Sequence, residues 1–91
     1  MASSLAELPG LGPKSQQMLA QAGIHTVAQL RELGAVAAYV RTRRAHPGVS
    51  LNLLWGLEAA LSGLSWQQVA REHRTSLLLA LEDYERRHPA G

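Results

Sequence analysis

The sequence predicts a compact all-α domain of the five-helix type. Helix-capping patterns recur along its 91 residues, and Gly or Pro follows most of the segments that they open. Within these segments, apolar residues recur at the three- and four-residue spacing that places them on one helical face. No useful length of the chain alternates apolar and polar residues with the period of two that is typical of a β-strand.

The N-terminal part of the chain contains signals for two short helices. Ser4-Leu5-Ala6-Glu7 forms a capping box that opens a first helix, and Pro9-Gly10 stops it. Pro13 suits the first position of a second helix, since the N–H that proline lacks has no partner there. This helix runs to about Ala22, and Gly23 supplies the left-handed residue that commonly ends a helix.

The middle of the chain is predicted to hold two helices that are separated at a glycine. The capping box Thr26-Val27-Ala28-Gln29 starts a third helix, which ends near Gly34. A fourth helix runs from Ala35 to about Arg44, because Pro47-Gly48 marks a turn shortly after it.

The C-terminal half begins with the most apolar helix of the chain. Ser50 caps a fifth helix, which Gly63 ends and which is apolar on nearly every side. Because a helix of this kind is usually central, we expect it to be the hub of the bundle. The capping box Ser65-Trp66-Gln67-Gln68 opens the last helical stretch, which runs to about Arg87 and bends near Glu72-His73.

Length and composition restrict the class of protein. Residues 1–91 suffice for a single domain, with a core over about residues 5–87. The absence of cysteine excludes disulfides and a thiol nucleophile, and it fits a reducing cytoplasm. The longest apolar run, around Leu77, is too short to span a membrane, and the chain does not begin with a secretory signal. A formal net charge of +2 leans toward a polyanionic partner without establishing one.

Residues 8–15 form the segment best suited to binding chemistry. Its glycines, Gly10 and Gly12, lack the Cβ atoms that would keep another backbone at a distance. The first amides of the following helix have no backbone partners, and the helix dipole adds positive potential there. We therefore expect the amides of Gly10, Gly12, Lys14 and Ser15, together with the Lys14 charge, to hold phosphates. The alternative is a tight interhelical turn without a ligand.

Arg41, Arg43 and Arg44 form a second basic cluster at the end of the predicted fourth helix. In one interpretation, these cations offset the exposed carbonyls and the negative end of the helix dipole. In the other, they form a secondary basic surface for nucleic acid or an acidic partner. Arg71 and Arg74 would join that surface only if the fold brings them to the same side.

Three further groups of residues carry weaker signals. Glu58 lies among large apolar residues of the hub helix, so we expect it to be buried and paired with an arginine such as Arg43 or Arg74. The four histidines lack the spacing that places two ligands on one helix face, and we expect no metal site. Trp55 and Trp66 are expected to pack in the core or at its edge, and Trp66 is the better candidate for exposure.

The glycine hairpin matches a known motif. Leu8-Pro9-Gly10-Leu11-Gly12, followed by Pro13-Lys14-Ser15 and an apolar helix, resembles the helix-hairpin-helix motif, known for sequence-independent contact with the DNA backbone. Leu8 to about Glu85 is similar to the C-terminal domain of the TfoX/Sxy family, including the strings Leu33–Tyr39 and Val49–Glu58. This resemblance implies a helix-hairpin-helix fold of the sterile-alpha-motif-like (SAM-like) type. It also implies a shape shared, at the level of fold alone, with the C-terminal domain of the RNA polymerase α subunit.

The same resemblance implies a role in regulation. Members of this family act as regulators of natural competence, working with the cyclic-AMP receptor protein at competence promoters. Full-length members carry another domain ahead of this one, and we expect the present chain to be a stand-alone copy of the C-terminal domain.

We expect a non-enzymatic regulatory module that contacts the DNA backbone. The chain offers no nucleophile–base pair, metal cluster or cofactor fingerprint, and we expect no cofactor. The alternative is a protein-interaction module that docks on a transcription factor, on RNA polymerase or on another copy of itself. A convergent basic face around the hairpin would favour DNA, whereas an exposed apolar patch of roughly several hundred Å² would favour a protein partner.

Overall fold

Residues 11–89, which the computed structural model describes, are organised as α-helices joined by short loops. The helices are α1 (Pro13–Gln21), α2 (Val27–Ala45), α3 (Leu51–Ser62), α4 (Trp66–Glu72) and α5 (Arg74–Arg87). No β-strand is present in this range, so the predicted all-α, five-helix class is confirmed. The predicted first helix, from Ser4 to Pro9-Gly10, lies outside the described residues.

The first loop is set by a glycine that closes α1. Gly23 has a φ of 86°, in the left-handed region where a residue with a side chain would be strained. Its N–H donates to Ala20 O, and the N–H of Ile24 donates to Leu19 O at 2.9 Å. This is the Schellman arrangement, and both Ile24 and Leu19 are fully buried beside it. The predicted stop at Gly23 is confirmed.

A single glycine divides α2 into two helical segments. The predicted capping box at its start is present, since Thr26 accepts from the N–H of Gln29 and the Gln29 side chain accepts from the N–H of Thr26. Gly34 then leaves the helical region, with φ 82° and ψ 164°. Ala35–Ala45 is therefore a second helical segment, separated from the first by a kink at Gly34. This agrees with the predicted boundary between a third and a fourth helix.

Helix α3 is the most buried helix among the described residues. Seven of its twelve residues are buried, as expected for a helix that is apolar on nearly every side. The predicted role of hub belongs instead to α2, which packs against α1, α3 and α5, whereas α3 packs mainly against α2 and α4. Ser50 caps the start of α3 by accepting from the N–H of Asn52, and Gly63 ends it with a left-handed φ of 78°. Helix α2 packs along it, and the buried Thr42 hydroxyl of α2 donates to Ala38 O at 2.8 Å.

The last two helices complete the bundle by packing against α3 and α2 and against each other. Ser65 caps α4 by accepting from the N–H of Gln68 at 3.1 Å, and Val69 is the fully buried contact of α4 with the core. The chain leaves helical geometry at His73, which confirms the predicted bend. Helix α5 then buries Leu77 and Leu81 and packs against α2. No helix within residues 11–89 has the length and apolar character needed to cross a membrane.

The conformation of Gly34 predicts a specific loss of stability. Gly34→Ala should lower the free energy of unfolding by about 1–3 kcal/mol, because φ 82° with ψ 164° is a region that essentially only glycine occupies. An added Cβ would meet no described atom within 4 Å, so the loss of stability would come from backbone strain and not from a steric clash. Urea denaturation followed by circular dichroism measures it.

Gly48→Ala is the matched control. Gly48 is exposed and has no positive φ, and a Cβ added there would also meet no atom within 4 Å. Its replacement should therefore be neutral or stabilising by up to about 1 kcal/mol. Equal stability changes in the two variants would contradict the assignment of strain to residue 34.

Candidate functional site

The start of α1 differs from the starts of the next three helices. Gly12 occupies the N-cap position and has no side chain to accept a hydrogen bond, whereas α2, α3 and α4 each begin with a side-chain cap. The Gln16 N–H donates to Gly12 O at 3.0 Å, and the Gln16 side chain donates to Leu11 O at 3.2 Å. The Gln16 hydrogen bonds thus hold the turn in place, while no side chain among residues 11–89 caps the amides of the first helical turn.

Lys14 and Ser15 border a groove of about 660 Å³ on this side of the molecule. Its walls come from the start of α1, the loop between α2 and α3, the first half of α3 and the first residue of α4. The lining residues are Leu11, Lys14, Ser15, Met18, Ala45, His46, Pro47, Gly48, Val49, Ser50, Asn52, Leu53, Gly56 and Trp66. Four separate parts of the chain therefore meet in one site.

The chemistry of this groove is apolar with a cationic rim. Among its described lining residues there is no Asp or Glu, and Lys14, the single lysine of the chain, is exposed beside it. Ser15, Ser50 and Asn52 add hydroxyl and amide groups. Such a combination suits a ligand that carries both a negative charge and an apolar or planar part.

Arg43 has a structural role at the C-terminal end of α2. Its Nη2 lies 2.8 Å from Glu85 Oε1, and its guanidinium carbon lies 5.4 Å from the centroid of the Tyr39 ring. The hydrogen bond to Glu85 raises the pKa of Arg43 above its ordinary value, against the opposing effect of partial burial. This cation therefore joins α2 to α5, and Glu85 neutralises its charge.

The other two arginines of the cluster are exposed. Arg44 donates a hydrogen bond to the backbone carbonyl of His88, and the His88 ring stacks on Tyr84 with 4.4 Å between ring centroids. Arg41 and Arg44 flank Tyr84 in a shallow groove that α2 and α5 form. Arg41 also borders a neighbouring groove that contains Glu32, and the groove of Arg44 contains Glu85, which pairs with Arg43.

The grooves that carry these cations share lining residues. Pro47 is shared by the groove of Lys14 and by the next one, which contains Arg43 and Arg44. Arg44 is shared in turn with the groove that contains Arg41 and Tyr84. We call the surface formed by Lys14, Arg44 and Arg41 along these grooves the cationic track.

The structure thus brings together most of the residues that the sequence singled out. Lys14 and Ser15 line the first groove, Gly12 is the N-cap beside it, and Gly10 lies outside the described residues. Arg41, Arg43 and Arg44 continue along the neighbouring grooves, with Arg43 engaged by Glu85.

Sequence reasoning did not place His46, Asn52 or Trp66 in this site. The turn at Pro47-Gly48 marks the loop that carries His46, but its approach to α1 is a tertiary contact. No local pattern in the sequence signals that contact.

The expectation for Glu58 was wrong. Glu58 is half-buried rather than buried, and Arg43 pairs with Glu85 instead. Leu51 and Ser62, which are seven and four residues away along α3, are both exposed, so Glu58 lies on the solvent-facing side of the helix. Arg74 is exposed at the start of α5 and forms no ion pair with any described carboxylate.

These features define a helical domain with a cationic surface built around the start of a helix. The model of the TfoX C-terminal domain matches residues 1–81, and the chain belongs to this family. The chain is 33% identical over 84 residues to the DNA transformation protein TfoX of Haemophilus influenzae. The match covers 92% of this chain and 39% of that protein, so the chain spans well under half the length of its relative.

Two solved structures from Listeria monocytogenes share the fold. An uncharacterized protein has a TM-score of 0.78 and 29% sequence identity, over 91% of this chain and 94% of its own. A protein of unknown function has a TM-score of 0.74 and 32% identity, over 80% of this chain and 90% of its own. The fold of the described residues therefore also occurs in chains of about this length.

The Arg43–Glu85 pair predicts a salt-dependent contribution to stability. Glu85→Gln should lower the free energy of unfolding by about 0.2–1 kcal/mol at low salt, because the pair is partly exposed. The loss should shrink in roughly 1 M salt, which screens exposed charges. Since the pKa of Arg43 is raised in the folded state, the stability that its protonation contributes is fully present below the pKa of the unfolded chain and is lost as the pH rises through the folded-state pKa.

Urea denaturation at two salt concentrations measures this effect. Glu72→Gln is the control, because Glu72 is an exposed carboxylate on α4 with no ion pair among the described residues. A Glu85→Gln loss that is the same at both salt concentrations would contradict an electrostatic link between α2 and α5.

Proposed function

We propose that this domain is a non-enzymatic regulatory module that contacts the DNA backbone. The observation that carries the proposal is the cationic track, in which Lys14, Arg44 and Arg41 line grooves that share Pro47 and Arg44 as lining residues. A polyanion with regularly spaced charges is the partner that such a row of cations suits.

The start of α1 supplies the first contact in this proposal. A phosphate beside Lys14 would accept hydrogen bonds from the backbone amides of Lys14 and Ser15, which no described side chain caps. The positive end of the helix dipole and the Lys14 ammonium act in the same direction. The space beside the Cα atom of Gly12 is open to a phosphate, since an added Cβ there would meet no described atom within 4 Å. A side chain at this position would fill the space that the phosphate needs.

Arg44 and Arg41 supply the further contacts. Both are exposed, and their guanidinium groups are suited to bidentate binding of phosphate oxygens. Contacts of this kind position a protein on nucleic acid but do not read its sequence. We therefore expect weak binding with little sequence preference, strengthened by a partner or by a second copy of the domain.

The biological setting proposed for this module is competence regulation. The Haemophilus relative is named a DNA transformation protein, and the present chain corresponds to 39% of its length. In this proposal the domain holds DNA in the cytoplasm while a transcription regulator or RNA polymerase supplies the selection of promoters.

A second candidate function is protein docking. The first groove has an apolar floor that includes Met18 and Leu53, and Trp66 is 40% exposed at its edge. An apolar side chain of a transcription factor, of RNA polymerase or of another copy of the chain would fit such a floor. In that case the charge of Lys14 would attract and orient an acidic protein partner instead of binding a phosphate.

Lys14→Glu should abolish most DNA binding. The probe is a fluorescent duplex of about 20 base pairs, titrated by anisotropy at several salt concentrations. If the track neutralises three phosphates, the slope of log K against log salt should be about −2.7 for the wild type. The variant should bind more than about tenfold more weakly, because the reversal removes one contact and repels the phosphate it served.

Arg74→Glu is the matched charge reversal, since Arg74 is exposed and lines none of the grooves of the track among the described residues. It should lower the affinity by only about twofold, as expected for a change in net charge away from the contact surface. Circular dichroism and melting establish that each variant folds. Equal losses in the two variants, or no binding by the wild type at low salt, would contradict the proposal and favour protein docking.

A further inference from the structure

We propose that the groove beside Lys14 binds single-stranded nucleic acid, with one base stacked on the Trp66 ring. The inference rests on the proposed backbone contact at Lys14 and adds the form of nucleic acid that the site accepts. It also gives Trp66 a function, as a binding residue for the base.

The position of Trp66 is the first observation. Its side chain is 40% exposed, whereas Trp55, on α3, is only 6% exposed and belongs to the core. Trp66 begins α4, yet it lines the same groove as Lys14 and Ser15 of α1. A large aromatic side chain left accessible next to a cation is the combination that single-strand-binding proteins use, with the ring for bases and the cation for phosphates.

The size and charge of the groove are the second observation. Its volume of about 660 Å³ lies within the range of about 300–1,000 Å³ that holds small organic ligands, and one nucleotide is of that size. No acidic residue lines it among residues 11–89, and Lys14 gives it positive charge. Ser50 and Asn52 provide hydroxyl and amide groups beside the apolar floor, where the edge of a base needs polar partners.

The continuation of the track fits a strand rather than a single nucleotide. Beyond Pro47, the next groove holds Arg44 and His88 together with the Arg43–Glu85 ion pair, and the one after it holds Arg41 and Tyr84. A cation that is not paired with a carboxylate among the described residues and an aromatic ring thus line each of these neighbouring grooves. In a duplex, the bases are stacked on each other and only the phosphates face such a surface, so Trp66 would contribute little to duplex binding.

The experiment compares two probes with the same set of variants. A labelled oligothymidylate of about twelve nucleotides and a duplex of about 20 base pairs are titrated by anisotropy at low salt. Trp66→Leu should weaken oligothymidylate binding by about tenfold, the loss expected when one stacked base loses its ring. It should change duplex binding by less than about twofold, and Lys14→Glu should weaken the binding of both probes.

Trp66→Phe separates stacking from general packing. It keeps an aromatic face, so oligothymidylate affinity should stay within about threefold of the wild type. Oligothymidylate should quench the tryptophan fluorescence of the wild type but not that of Trp66→Phe, because the remaining Trp55 is buried. Leu79→Ala is the control for loss of an exposed apolar side chain, since Leu79 is 61% exposed on α5 and lines none of the grooves of the track.

The outcomes distinguish this inference from the proposed function. Equal oligothymidylate affinity of the wild type and Trp66→Leu would overturn the stacking role, and Lys14-dependent duplex binding would then leave the backbone contact standing. An absence of binding to either probe at low salt would overturn both proposals. Circular dichroism and melting of every variant ensure that a loss of binding does not reflect unfolding.

Discussion

Burial of α3 is the constraint on which the rest of the molecule depends. With seven of its twelve residues buried, this helix exposes too little polar surface to be stable in water unless other helices cover it. The chain meets this requirement with α2 and α4, which pack directly against α3, while α1 and α5 pack against α2. Its loops are short, and Gly34 and Gly63 provide the backbone conformations that redirect the chain between them. The groove of Lys14 lies beside this packing, where α1, the loop between α2 and α3, the first half of α3 and Trp66 meet.

The charges are distributed according to the same geometry. Arg43 lies where α2 meets α5, and its pairing with Glu85 commits that cation to holding the two helices together. Arg41 lies two residues before Arg43 on α2, and Arg44 directly follows it. Both remain exposed to solvent. One run of three basic residues therefore divides between structure and surface. Charge counts along a sequence overestimate what is available to a ligand whenever part of a cluster closes an interhelical contact.

Local signals in the sequence predicted the helices well. The features that the sequence did not predict depend on tertiary contacts. Caps such as Thr26 and stops such as Gly23 act within a few residues, so their partners are visible in the sequence itself. Glu58 was misassigned because its burial depends on which face of α3 the other helices leave uncovered. The meeting of Lys14 with Trp66 in one groove joins residues that are far apart in the chain, and no periodicity records it.

The places where the described chain enters and leaves the fold have a practical consequence for experiments on this domain. Leu11 lines the groove of Lys14, and Arg44, in the middle of the cationic track, donates a hydrogen bond to the carbonyl of His88. Any affinity tag, fluorescent fusion or neighbouring domain is attached by way of one of these two positions. A charged tag would consequently alter the local ion atmosphere of the surface under study. Labels for binding measurements belong away from the track, for instance at a cysteine introduced in place of the exposed Ser76 on α5.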